Sequence, residues 1–576
     1  MKSASSLLAT TATGLLAMTA GAQAAAPPPP LPVAPLFWTA IADTGDLAPL
    51  KRSGFGTVSS FTGFRPPVLV APNTAAIPQY AFKGRMILPV ALDEAVWSNG
   101  DPRSWNSPVS YAPFMTAQEG DTVRNSFGTL TLGNGSRMPV RALQTNFPGG
   151  TLFTTTSSVN ANVNLSIYDD GDPGPLLRAL AGRNVQQPVT TPPSLPPSGT
   201  IFGDGGLAVT SSSRLAEWTQ IPGMTGTLAW DLFPVPPVPQ NLLGNIIRWT
   251  APAPPPNINP KVPCSPAISE YGAVAHRGRV IAPWWRRNVI MAEPLSPSGL
   301  FPANTLVVQE NDPASLAERF GTFHPNLMAI AGGPNVNPTV AWQMSNMRGN
   351  PPNTNRPGPV LPGTRSLWCW MHLSPSGTNY AQIARIGIAA PFLLGPPKFF
   401  TSFYALHLVD DHLNWRESDV FFGATITGGY HVIYKRHIRD SAGVTLGPYD
   451  LIATDEPLTA SSVPVPSILG GTVAIKALFP WFSVDTSGNV LMKASITATP
   501  GLTECLITAR PPFHAMQMCA QSGVGFIPKS GPVETIKNFA ITNPEQGPLG
   551  RGQGISGPHV GARIDYSGGS TIAVGQ

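Results

Sequence analysis

Proline falls about once every nine residues in this chain, 66 in 576, yet none occurs in the fifty residues from Lys398 to Gly447. Proline cannot donate to a β-ladder and is confined to sheet edges, strand starts and bulges. The proline-free run is therefore where an uninterrupted sheet is best accommodated. It reads FYALHLV and then DVFFGATITGGYHVIYKRHI, two apolar runs rich in aromatic and β-branched residues. Gly428–Gly429 supplies a hairpin turn between Thr425, Thr427 on one side and Tyr430, Val432, Tyr434 on the other.

Charged residues make up only 12% of the chain, half the usual share, and Gly (57) with Pro exceeds a fifth of it, which excludes a helical bundle. A 42% hydrophobic content with 13 Trp and 25 Phe excludes wholesale disorder. The expected class is mainly β: an antiparallel sandwich of jelly-roll type with long Pro-rich loops and a few short inserted helices. No fixed-period repeat is visible, which argues against a propeller or solenoid. The expected division is an N-terminal arm (1–36), a β-rich region with Pro-rich connectors (37–260), a connecting region with a short helix (261–360), the principal β-domain (361–545) and a Gly-rich extended tail (546–576). The helix signal is strongest at Asp312–Pro313 to Gly321, and weaker at Pro175–Gly182 and Tyr380–Ile386.

Other strand signals flank the central run. Asn134–Gly135 marks a hairpin, residues 157–168 alternate as a half-buried strand, and Ser487–Gly488–Asn489 turns between WFSV and VLMKASITA. Residues 1–24 combine Lys2, a mildly apolar stretch and a small-residue site at Ala24, the pattern of a secretory signal, followed by a polyproline tether. The alternative for the same stretch is an uncleaved arm. No stretch has the length of apolar sequence that a transmembrane helix requires.

Chemistry-bearing motifs are weak. Cys264, Cys369, Cys505 and Cys519 lack zinc-type spacing, leaving buried thiols or two disulfides of undetermined connectivity. Asp169, Asp170 and Asp172 form an acidic turn without the later Glu of a calcium loop. Gly552, Gly554 and Gly557 match a dinucleotide fingerprint without its strand and helix. His407, His412, His431 and His437 lie near Asp410, Asp411 and Asp419, but no metal or hydrolase spacing links them. No cofactor, metal or catalytic residue is expected.

Two basic clusters are the candidates for nucleic-acid contact: Arg277, Arg279, Trp284, Trp285, Arg286 and Arg287, and then Lys435, Arg436 and Arg439. Arg pairs with phosphate and Trp offers a stacking platform, although both are also what subunit interfaces enrich. Two functional readings follow from composition. The first is a self-assembling shell, the coat protein of an icosahedral RNA virus, whose partners are its own copies and the genome. The second is a secreted or cell-surface β-protein, adhesin-like or carbohydrate-active. On the shell reading, replacing Arg286 and Arg287 with Ala reduces packaged nucleic acid while particles persist; unchanged packaging removes that cluster.

Overall fold

The computed structural model describes residues 37–48, most of 60–118, the strand backbones between 122 and 293, and most of 305–541 and 554–576. The described chain is built of antiparallel β-sheets, as composition requires. Six of them have a main path of four strands; three of these carry a short extra strand off the path, and in the last the N-terminal strand pairs with the C-terminal one. Sheet 1 contains Phe61–Phe64, Gln79–Ile87, Leu92–Ser98 and Phe114–Gln118, and sheet 2 contains Arg248–Thr250, Val274–Ala282, Trp285–Glu293 and Thr305–Gln309. Sheet 3 runs Glu318–Ala331, Thr339–Arg348, Val360–Met371, Tyr380–Arg385, and sheet 4 runs Phe400–Asp410, Glu417–Ile426, His431–Asp440, Val444–Thr454. Sheet 5 consists of Ile475–Val484, Val490–Ala498, Gly501–Arg510 and Ala515–Gln521. Sheet 6 takes Asn538–Ala540, His559–Tyr566 and Gly569–Gly575 from the C-terminus and is completed by Trp38–Asp43 from the N-terminus. Between sheets 1 and 2, eight strands from Thr122–Asn125 to Thr227–Leu232 form a closed barrel.

The sheets stack in chain order. Ile290 and Val308 of sheet 2 pack with Phe320 and Trp342 of sheet 3. Leu367 and Ile383 of sheet 3 pack with Phe422 and Tyr434 of sheet 4, and Phe421 and Ile433 from the other face of sheet 4 meet Phe482 and Met492 of sheet 5. Leu491 and Leu506 of sheet 5 meet Phe539 and Ile564 of sheet 6. Arg563 of sheet 6 then donates to the Phe64 carbonyl of sheet 1 at 3.1 Å. The sheets thus follow one another in series, and the first strand of the chain completes the last of them. The mainly β, antiparallel part of the expectation is what the described strand pairing shows.

Several local expectations change. Tyr380–Arg385 and Leu177–Asn184 are strands rather than helices, and Phe320 lies in the strand Glu318–Ala331 instead of closing a helix. The Gly-rich tail is no loose extension, because Val560, Ala562, Ile564, Ile572, Ala573 and Val574 are buried strand residues of sheet 6. The central hairpin forms as expected, with Gly428 and Gly429 at φ 96° and 83° and register Thr425↔His431 to Glu417↔Arg439. Gly488 likewise turns between the first two strands of sheet 5 at φ 77°. Val123 pairs with Met138 across the Asn134–Gly135 segment, whose turn residues lie outside the described residues.

One backbone device recurs at three of the points where a last strand leaves its sheet for the next. At 385–388, Ile388 N–H donates to the Arg385 carbonyl, Gly387 N–H donates to Phe400 at 2.8 Å, and Phe400 N–H returns to Ile388 at 3.0 Å. At 43–46 the same three bonds join Asp46 to Asp43, Gly45 to Phe61 and Phe61 to Asp46; at 521–524 they join Val524 to Gln521, Gly523 to Ile536 and Ile536 to Val524. The three glycines have φ of 83°, 95° and 87°, a left-handed conformation that costs an L-residue about 1–2 kcal/mol. Side chains reinforce the exit. Thr44 Oγ1 accepts Ser570 N–H at 3.0 Å, Ser522 Oγ accepts Glu504 N–H at 3.0 Å, and Asp455 Oδ1 accepts His431 N–H at 2.6 Å. Asp455 Oδ2 also takes Leu478 N–H of sheet 5 at 2.9 Å, so one carboxylate ties two sheets. Gly387→Ala and Gly523→Ala are each expected to lower stability by about 1–2 kcal/mol in chemical denaturation. Gly63→Ala, with open space around its Cβ and no positive φ, serves as the near-neutral control.

Candidate functional site

An antiparallel meander of four strands returns the chain to the end at which it entered. The connections from sheet to sheet therefore gather at one end of the stack, and the hairpins between first and second strands gather at the other. These two ends carry different chemistry.

At the hairpin end of sheet 4, one face carries Glu417, Asp419, Lys435, His437 and Arg439 as cross-strand neighbours. Their charges are matched in place. Arg439 Nε donates to Glu417 at 2.6 Å, Lys435 Nζ lies 2.8 Å from Asp419, and His437 sits between the two acids with Nδ1 2.9 Å from Asp419 and Nε2 3.3 Å from Glu417. Arg436 projects from the opposite face. It donates to the Gly447 carbonyl at 2.8 and 3.0 Å and to the Ile383 carbonyl at 2.6 Å, and it lies 4.1 Å over the Tyr449 ring. That places it in the joint between sheets 3 and 4. The Lys435–Arg436–Arg439 cluster is thus a set of internal staples more than a cationic patch.

The first basic cluster divides by strand register. Arg279 opposes Asn288 and Arg286 opposes Ile281, positions of one parity, whereas Arg287 opposes Val280 and Trp285 opposes Ala282, positions of the other. Arg277 pairs with Ile290 in the first set, and Trp284 lies outside the described residues. The histidines also separate. His407 is buried with Nε2 3.1 Å from the Phe482 carbonyl, His431 meets Asp455 at the connection end, and His412 lies outside the described residues. Gly554 N–H donates to Ser483 Oγ and Gly557 N–H to Asp485, so these two glycines brace sheet 5 against sheet 6; Gly552 lies outside the described residues. Asp485 accepts four hydrogen bonds there, from Ser487, Asn489 twice and Gly557, and its burial still raises its carboxyl above the ordinary range. Cys369, Cys505 and Cys519 are free and buried, and burial pushes their thiols up to about 12, 12 and 11; Cys264 lies outside the described residues. No His/Cys/Asp/Glu group suited to a metal ion occurs among the described residues.

His514, carried by the last hairpin of sheet 5, reaches across to this end of sheet 4. It is the one non-glycine residue with positive φ, 50°, among the described residues, and its ring stacks on Phe421 at 6.1 Å and 17°. Burial first, and then the Lys435 charge, lower its imidazole to about 4. The neutral ring fits a seam where Lys435 is already spent on Asp419.

Sequence reasoning missed the connection end. The exposed large apolar side chains among the described residues are Phe37, Leu47, Ile388, Leu394, Phe399, Ile527 and Val533. All except Phe37 lie on the three connections that carry the glycine device. Leu47, Ile527 and Val533 are about two-thirds exposed, at 66%, 65% and 66%. Ser530 joins two of these connections, its N–H donating to Asp43 at 3.0 Å and its hydroxyl to Asp46 at 2.9 Å. Lysines stand beside the apolar groups: Lys398 precedes Phe399, Lys529 lies between Ile527 and Val533, and Lys476 and Lys537 occupy the entries to sheets 5 and 6. The acids of this end are largely withdrawn, with Asp43, Asp455 and Glu456 buried and Asp46 held by Ser530.

No protein-family model and no curated protein matches the chain. Among solved structures, the extracellular domains 1–2 of Drosophila Semaphorin 1b align over 79% of this chain and 86% of theirs at 9% identity and a TM-score of 0.23. The WD40 domain of SCAP from fission yeast aligns over 78% of this chain and 97% of its own at 8% identity and a TM-score of 0.23. Neither superposition is close enough to bear on the fold or its use. Among the described residues no helix is long and apolar enough to cross a membrane.

The His514 assignment has a pH signature. The folded-state value of about 4 lies below the ordinary 6.5, so between these values the unfolded chain takes up a proton that the folded chain refuses. Stability from this group is present above about 6.5 and is lost as pH falls toward 4. His514→Gln is expected to flatten that part of the stability curve, measured by denaturation at stepped pH; an unchanged slope rejects the buried neutral ring.

Proposed function

We propose that this chain is a secreted or cell-surface binding scaffold on a β-propeller plan, and that it works through the connection end of its sheets. The observation that carries this reading is that, of the exposed large apolar side chains among the described residues, all but Phe37 lie on equivalent connections, whereas sheets 3, 4 and 5 bury both faces against their neighbours. Scattered exposed apolar residues are ordinary, but their concentration at one end marks an interaction surface. The signal-like residues 1–24 supply the compartment. Buried free thiols neither require nor forbid export, because each is enclosed by its own sheet stack.

Catalysis draws little support. The carboxylates Glu417 and Asp419 are both held by cations, and no nucleophile with an adjacent base is present among the described residues. The shell reading keeps its compositional basis and one structural observation, since an apolar face also suits contact between copies.

The two readings part on assembly and processing. The scaffold reading expects the natural protein at the cell surface or in the medium, with an intact mass starting after Ala24, and discrete small particles by electron microscopy. Closed regular particles that protect nucleic acid, with residues 1–24 retained, overturn it.

A further inference from the structure

Three features of the connection end bear together on what it meets. Its apolar groups are carried one to three at a time on separate connections: Ile388, Leu394 and Phe399 between sheets 3 and 4, Ile527 and Val533 between sheets 5 and 6, and Leu47 after the strand that completes sheet 6. A lysine accompanies most of these positions, with Lys476, Lys529 and Lys537 exposed and Lys398 5.3 Å from the Tyr430 ring centroid. The acids that would offset them are buried or hydrogen-bonded, apart from a partly buried Glu534 and the loose 4.0 Å approach of Lys529 to Asp46.

We propose that the connection end docks on an anionic lipid bilayer, with the exposed apolar side chains entering the interface and the lysines meeting headgroup phosphates. The proposal rests on the scaffold reading above. A protein partner needs a contiguous apolar core closed by a rim. Side chains on separate connections that share one end of the stack instead suit a surface that is planar and deformable. Apolar groups flanked by Lys are the chemistry that binds an anionic interface, with strength set by apolar burial plus attraction to acidic headgroups. The staples at each connection support this use, because the glycine turns hold the bases of the loops to the next sheet and so fix where the apolar side chains stand.

The test is co-sedimentation of the full chain with phosphatidylcholine vesicles, with and without phosphatidylglycerol, at low and high salt. Binding is expected to require phosphatidylglycerol and to weaken as salt rises. Lys529→Glu combined with Lys537→Glu is expected to weaken it about tenfold or more. Ile527→Ser with Val533→Ser is expected to weaken it comparably, while thermal melting stays that of the parent because these side chains are exposed. Arg439→Gln, at the opposite end, leaves it unchanged. Equal binding to both vesicle types, binding to neither, or parental affinity in the first two variants overturns the proposal. Light scattering on the same samples separates the causes. A surface-located protein that stays monomeric and ignores vesicles overturns the lipid proposal and spares the scaffold; assembly into closed particles overturns both.

Discussion

The stack depends on how each fourth strand is fastened to the first strand that follows it. A sheet of four strands buries little on its own, and its two faces gain stability only when neighbours cover them. What brings the neighbour into register is a four-residue turn with a left-handed glycine, whose N–H bonds toward the next sheet at Phe61, Phe400 or Ile536, while the carbonyl one residue on accepts a bond in return. Where the glycine is missing, between sheets 4 and 5, Asp455 supplies the same link through its side chain, to His431 behind and Leu478 ahead. Backbone and carboxylate are alternative solutions to one geometric demand. The opposite end has its own fastener in Asp485, which reaches Gly557 across the joint of sheets 5 and 6.

The sequence made the strands legible and the repeat illegible. Proline avoidance picked out the Lys398–Gly447 run, which forms three strands and the start of the fourth in sheet 4, and the Gly428–Gly429 and Gly488 turns fell where β-formers flank them. Strand order could not be read the same way. Sheets covered on both faces need no polar alternation, so Val420 through Ala424 is continuously buried and gives no sign of which neighbour each face meets. The repeat is hidden because equivalent exits, Ile386, Asp455 and Ser522, stand 69 and 67 residues apart with little common side-chain chemistry. One trace was present: Ala42–Pro49 and Ala384–Pro391 share Ala, Gly, Ala and Pro at the same four positions. The shared glycine is the residue that the backbone demands.

Strand alternation also separates residues that a motif groups. Lys435, Arg436 and Arg439 are close in sequence and look like one patch, but alternation sends Arg436 to one face and the others to the opposite face. Each then meets a partner from a distant segment: Gly447 and Ile383 for Arg436, Glu417 for Arg439, Asp419 for Lys435. Arg279, Arg286 and Arg287 divide by parity in the same manner. Conversely, Leu47, Ile388 and Ile527 are hundreds of residues apart and share no motif, and only the even number of strands per sheet places them at one end. The surface was a product of topology, and no local window could contain it.

The two ends differ in what burial does to charge. In sheet 4, the hairpin end sets Lys435, His437 and Arg439 against Glu417 and Asp419 on adjacent strands, so the face is nearly neutral and its polar groups are consumed. At the connection end the acids are the groups doing the fastening. Asp43, Asp455 and Asp46 accept hydrogen bonds from backbone and Ser530, which draws their charge inward, while Lys476, Lys529 and Lys537 remain exposed. The fastening of the sheets and the basic character of that end thus have one cause. Of these lysines, Lys529 approaches one of the fastening carboxylates, Asp46, at 4.0 Å. A chain of small net charge, +5 over 576 residues, acquires in this way a polarised surface that its composition does not suggest.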